Sequence, residues 1–413
     1  MITRRSVLQY ALAAVVKKPE IRHEVFLPSP GKGTAVMAYA YYTTAHTGDM
    51  MSVEQRLSRS DTVDVAYYRY SKDYGRKWSE PQEQITGAKT TGGMYRRAPR
   101  GAWVDPHNGK LVEFWLDATL PTDDPLEGLR RWNIFYRIAG GESRQLIHRG
   151  AEYNPAHPLP GVYSGKNCAM IGDQPSYPIS SDDATILLPI DITPLDADGN
   201  MTNPGGGYTY HDTAVLRGRW KDENIEWQMS DLVVADPART TRGLSEPTIA
   251  MIDRNAYILV MRGSNDKKPD LPSHRWISYS SDGGNGWTEA KPWTYHDGTP
   301  FFSPSSCSQL VKHSSGRLFW LGNITPENPK GNRPRYPFVI GEVDRGSGLL
   351  IREKVRTIDT LQKGEDPVLS LSNFFAREDR QTKEICVHMT RLFARDKAWE
   401  GDAMLYRIPI SVI

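Results

Sequence analysis

Residues able to do chemistry fall into a few separate stretches of this chain. A polar insertion from Thr43 to Asp64 carries His46, Asp49, Glu54, Arg56, Arg59 and Asp61. Tyr210-His211 follows three consecutive glycines, Gly205-Gly206-Gly207. Glu246 precedes Arg262 across what reads as strand, turn and returning strand, a spacing that lets the two form an ion pair. Arg333-Pro334-Arg335-Tyr336-Pro337 supplies two more guanidinium groups and a phenol. A guanidinium stays charged at any working pH and grips a carboxylate through two parallel N–H donors, so several on one face would select an acidic sugar. Carboxyl groups held in different environments could then act as acid and base in glycoside cleavage. Elimination is a second chemistry for the same residues. Arginine would neutralise a uronate, while His46 or His211, with Tyr210, would serve as base and acid. A third reading is a glycan-binding module without catalysis, built on aromatic platforms such as Trp103, Tyr163 and Tyr208.

These residues lie far apart in sequence, so a scaffold must gather them. Alternating, aromatic-rich runs such as Val65 to Tyr70 and Trp276 to Tyr279 read as strands. Ala35 to Tyr42 and Thr185 to Ile192 are apolar enough to be buried ones. The 35 Gly and 29 Pro suit many short strands joined by tight turns. The sequence shows no long amphipathic helix and no break in composition. Roughly six successive sets of strands predict one all-β domain over 19–413, a six-bladed β-propeller, with seven blades as the alternative and a sandwich as the competing fold. A propeller collects loops from different blades at one end of its channel, where a ligand site is expected.

One pattern occurs twice. Ser71 to Trp78 and Ser280 to Trp287 both read Ser-x-Asp-x-Gly-x-x-Trp, each after an alternating run and each followed by a hydroxyl residue and Glu. Asp can accept bonds from nearby amides and Gly can take positive φ, so each copy predicts a hairpin turn. The pattern resembles the Asp-box of sialidases and other bacterial-neuraminidase-repeat proteins. That resemblance implies a propeller and a glycosidase acting on a terminal acidic sugar, sialic acid or a relative, without a cofactor or metal. It matches Glu246 to the family glutamate and Arg262 to the second of three carboxylate-binding arginines. The third is then Arg335 or Arg333, and the first is Arg22 in Ile21-Arg22-His23-Glu24-Val25. The family's acid/base aspartate falls on Asp49, with Asp61 as rival. The family's nucleophilic tyrosine has no counterpart: the corresponding region reads Leu371-Ser372-Asn373-Phe374-Phe375, and Tyr336 is a substitute outside the family context.

Lys and Arg total 51 against 49 Asp and Glu, and no basic run dominates, which argues against nucleic acid as a partner. The expected partner is an anionic glycan, and the expected state a monomer. Cys168, Cys307 and Cys386 lack metal spacing and read as buried free thiols. Arg4-Arg5 before the short apolar run to Val16 reads as an export signal over 1–18, implying a secreted or periplasmic protein. Nothing else approaches membrane-spanning length.

Overall fold

Alternating apolar and polar residues form strands almost throughout the computed structural model, which describes residues 19–146, 162–163, 165–395 and 397–413. The twin-arginine segment lies outside these residues. The described residues hold 26 strands, and their helices are three short 3-10 segments. After β1 (Arg22–Leu27), the first meander is β2 (Ala35–Tyr42), β3 (Met50–Leu57), β4 (Val65–Ser71) and β5 (Gln82–Gln84). The second sheet holds β6 (Gly87–Thr90), β7 (Gly93–Val104), β8 (Leu111–Leu120), β9 (Asn133–Ile138) and β10 (Ser143–Gln145). The third holds β11 (Ala169–Met170), β12 (Ile179–Ser180), β13 (Ile186–Ile192), β14 (Asp212–Lys221) and β15 (Asn224–Met229). The fourth is β16 (Ser245–Asp253), β17 (Ala256–Arg262), β18 (Arg275–Ser280) and β19 (Lys291–Pro292). The fifth is β20 (Gln309–Lys312), β21 (Leu318–Asn323), β22 (Phe338–Val343) and β23 (Arg356–Asp359). The last strands, β24 (Phe374–Glu378), β25 (Ile385–Leu392) and β26 (Gly401–Ile408), take β1 on their outer edge. They join the first meander through one parallel bridge, Ala35 to Gly401.

Apolar side chains pack each sheet face to face on the next. Leu116 and Ile134 of the second sheet share a cluster with Ile190 and Leu216 of the third. Val215 of the third meets Leu259 of the fourth, and Val260 of the fourth meets Trp320 of the fifth. Phe338 of the fifth meets Phe374, while Phe375 closes the circle against Tyr39 and Ala102 of the first two sheets. The architecture is all-β and propeller-like. All three cysteines are free and buried, and no helix among the described residues is long and apolar enough to cross a membrane.

Both repeats form turns of the same design, joining the third and fourth strands of the first meander and of the fourth sheet. Ser280 Oγ donates to Asp282 Oδ1 at 2.8 Å, and that oxygen accepts the amides of Asn285 and Gly286 at 3.1 and 2.9 Å. Ser71, Asp73, Arg76 and Lys77 repeat the arrangement. The hydroxyl residue after each Trp completes it, Ser79 Oγ and Thr288 Oγ1 each accepting a strand amide at 3.0 Å. Replacing Asp282 with Ala should cost about 1–2 kcal/mol, as loss of a cap does, measured by chemical denaturation.

Strand direction separates two ends of the molecule. The repeat turns follow β4 and β18, the third strands, at one end. The starts of β16, β20 and β24 and the ends of β13 and β17 lie at the other. The eight residues of β3 span about 27 Å at roughly 3.4 Å each, so Asp49 before it and Asp61 after it cannot meet at one site.

Candidate active site

Loops and strand ends opposite the repeat turns enclose a cavity of about 420 Å³. Glu246 opens β16 and Arg262 closes β17, and the antiparallel ladder sets Ser245 opposite Arg262. Arg262 Nη1 ion-pairs with Glu246 Oε1, while its Nε donates to Ser305 Oγ at 2.7 Å. Glu246 sits in the left-handed region at φ 47°, where a β-carbon is disfavoured. Such strain, held at about 1–3 kcal/mol, is a pointer to function. Its amide donates to Asp191 Oδ1 at 2.9 Å, and Gly172 supplies the room: a β-carbon there would come within 2.9 Å of Glu246. Glu246 Oε2 is buried without a hydrogen-bond partner.

Other cationic side chains converge from loops and one strand of different parts of the chain. Arg335 Nη2 donates to the Ser305 carbonyl at 2.8 Å, leaving a buried, unpartnered Nε. Arg242, only 9% exposed, donates to Thr209 Oγ1 at 2.8 Å and lies 5.5 Å from the exposed ring of Tyr208. Arg100, at the bulge in β7, donates to the Ile171 carbonyl at 3.0 Å. Burial and the neighbouring Arg262 charge draw Arg242 and Arg335 each down to about 10, so both remain cationic at neutral pH.

The carboxyl groups diverge. Burial opposes the charge on Glu246, but Arg262 overcomes it and holds the carboxyl at about 2. Asp173 and Asp191 are pushed upward, by burial first; Glu246 adds to that rise in both. Asp173 Oδ2 accepts from Asn373 Nδ2 at 3.2 Å and from Cys307 Sγ at 3.4 Å. His211 lines the cavity at 4% exposure with both ring nitrogens unpartnered, and burial together with Arg242 and Arg262 lowers it to about 3. It is therefore neutral at ordinary pH.

The structure brings together Glu246, Arg262, Arg335, Arg333, Asp61 and His211 of the residues singled out in the sequence. The others fall elsewhere. Arg22 is on the outer edge strand, paired with Glu384 Oε1 at 2.5 Å. Asp49 and His46 occupy the β2–β3 loop, whose Gly48 carbonyl accepts from Tyr74 in the first repeat turn. Tyr210 is buried with its hydroxyl donating to the Ala235 carbonyl at 3.1 Å, and Tyr336 packs on the core beneath the fifth sheet. Of the aromatic platforms, Tyr208 lines the cavity, whereas Trp103 is a core residue and Tyr163 is not part of the lining. Sequence reasoning missed Arg100, Arg242, Asp173 and Asp191. A weak signal existed for Asp173, which lies two positions before Pro175 as Glu246 lies one before Pro247. Among the described residues no His, Cys, Asp and Glu cluster could hold a metal ion.

Twisted sheets packed face to face in this way give a sialidase-like β-propeller fold, which the solved structures below share. No family model matches the sequence, and no curated protein matches it either. Among solved structures, a Hadza microbial sialidase superposes with TM-score 0.57 at 13% identity, over 92% of this chain and 66% of that one. A point mutant of the NanB sialidase from Streptococcus pneumoniae gives 0.58 at 11% identity, over 94% and 70%. An α-L-arabinanase from Penicillium chrysogenum, solved with arabinobiose, gives 0.53 at 13%, over 96% and 100%. The chain thus spans about two thirds of the sialidase chains and the full arabinanase. At these identities the likeness is one of fold.

Proposed function

We propose that the protein is an exo-acting glycoside hydrolase that releases a terminal acidic sugar, sialic acid or a relative, from a glycan. The carrying observation is the cavity itself, where Arg262, Arg335 and Arg242 converge beside carboxyl groups pushed in opposite directions, Glu246 down by Arg262 and Asp173 up by burial. The arginines hold the sugar carboxylate, with Arg242 in the role that the sialidase resemblance assigns to Arg22. Pairs of carboxyls driven apart in this way are how acid and base are assigned in glycosidases. Asp173, whose carboxyl is pushed upward by burial, gives its proton to the leaving oxygen. Glu246, ionised by Arg262, supports the anomeric centre or activates its attacker. Asp61 at the rim contacts substrate. This pairing needs no tyrosine at 371–375. The fold partners, sialidases and an arabinanase, are in keeping with a glycosidase. We read the eight-stranded sheet as two blades joined edge to edge, which makes six blades in all. An extracellular glycan would suit the export signal read over 1–18.

Elimination is less well served, because its candidate residues are dispersed: His46 and Tyr210 lie outside the cavity that holds His211. Product masses from a panel of sialylated and uronate-containing glycans test the reading. Products summing to parent plus one water are expected; products summing to the parent alone would establish elimination and sink the hydrolase. Asp173→Asn should lower kcat by about 10²-fold. Since the Asp173 carboxyl is raised, wild-type activity should fall as pH rises through its pKa, and the variant's profile should lose that alkaline limb.

A further inference from the structure

The cavity gathers more guanidinium groups than one sugar carboxylate can grip. Arg100, Arg242, Arg262, Arg333 and Arg335 all line it, and of these only Arg262 has a carboxylate partner in an ion pair among the described residues. The carboxyl groups facing them are Glu246, Asp173, Asp191 and the rim residue Asp61, and burial opposes the charge on Asp173 and Asp191. Guanidinium groups that face one cavity without a carboxylate partner point to an anionic ligand. The surplus is also spread in depth. Arg262 and Arg242 are buried, Arg335 is intermediate, and Arg333 is exposed at the mouth. At the mouth Arg333 donates through Nη1 to the Val368 carbonyl at 2.5 Å, and its guanidinium stands 5.7 Å from the Phe393 ring. Phe393 meets Trp399 edge to face at 5.1 Å, and both line the cavity. Phe393 takes φ 64°, strained for an aromatic residue, and Trp399 Nε1 is buried without a partner. An aromatic wall beside a fixed guanidinium, with a spare N–H donor, suits a sugar ring that carries a carboxylate.

Resting on the hydrolase reading above, we propose that the mouth is a second acidic-sugar subsite and that the preferred substrate ends in two consecutive acidic sugars. The terminal one sits in the floor clamp, and the penultimate one lies on the Phe393–Trp399 wall with its carboxylate on Arg333. A single charged sugar leaves Arg333 without an anionic partner; two consecutive ones engage both ends of the cavity.

Calorimetry with two non-hydrolysable, sulfur-linked disaccharides tests this on the full chain, one acidic–neutral and one acidic–acidic. The doubly acidic ligand should bind at least tenfold more tightly at low salt. That preference should shrink as salt screens the exposed Arg333 contact. In Arg333→Gln it should fall to near unity, and Arg333→Lys should restore part of it. Equal binding of the two ligands by the wild type, or a preference unchanged in Arg333→Gln, overturns the subsite. Hydrolysis of the matching oxygen-linked pair separates the two ideas. A binding preference without cleavage keeps the subsite and ends the hydrolase reading; cleavage without a preference does the reverse.

Discussion

Glu246→Gln is expected to lower kcat/KM by about 10³-fold on any glycan the protein cleaves, within the range for loss of a general acid or base. The amide is nearly isosteric, so the left-handed turn over Gly172 and the amide bond to Asp191 remain, and circular dichroism should be unchanged. Because Arg262 holds the carboxyl at about 2, Glu246 is ionised across the working range. The loss should therefore be independent of pH from about 5 to 9, unlike the loss in Asp173→Asn. A Glu246→Gln protein retaining a tenth or more of wild-type activity would remove Glu246 from the chemistry.

Arg262→Met should have the largest effect on stability, about 3–5 kcal/mol, since it strands a buried carboxylate. The sign follows from linkage. Glu246 titrates at about 2 when folded, against an ordinary 4.5, so its pairing stabilises the protein above pH 4.5 and that gain is lost as pH falls toward 2. Without Arg262, burial is opposed only by the smaller effects of Cys307 and Arg335 and favours the neutral acid, so the variant should weaken as pH rises. Denaturant midpoints for wild type and variant should therefore lie furthest apart at neutral pH and approach each other near pH 3. Adding Glu246→Gln to Arg262→Met should recover most of the loss. A difference that does not depend on pH would mean that Arg262 matters through packing alone.

The repeat turns and strands were legible because their signals are local: a turn needs Asp and Gly at fixed offsets, and a buried strand needs alternation. Glu246 with Arg262 was legible for the same reason, since one hairpin brings them together. Arg22 and Asp49 were misplaced because a family pattern gives order along the chain but not which end of a strand a residue occupies. One strand length moves a side chain from the cavity to the opposite end, as Asp49 and Asp61 show. Asp173 and Arg242 stayed hidden because their significance comes from neighbours more than seventy positions away or from burial, neither of which sequence spacing carries.

Arg262 ends β17, Arg335 lies in the loop before β22 and Asp173 in the loop after β11, strands of three sheets with no hydrogen-bonded ladder in common. Their separations are therefore set by the thickness of apolar filling between sheets, such as Trp320 with Val260 or Phe338 with Phe374, where facing sheets stack about 10 Å apart. The gauge of the cavity is thus kept in side chains that never meet the ligand. A methylene gained or lost in those wedges would widen or narrow the binding floor, so lineages of this fold could drift from one sugar to another while every polar group in the cavity stayed the same.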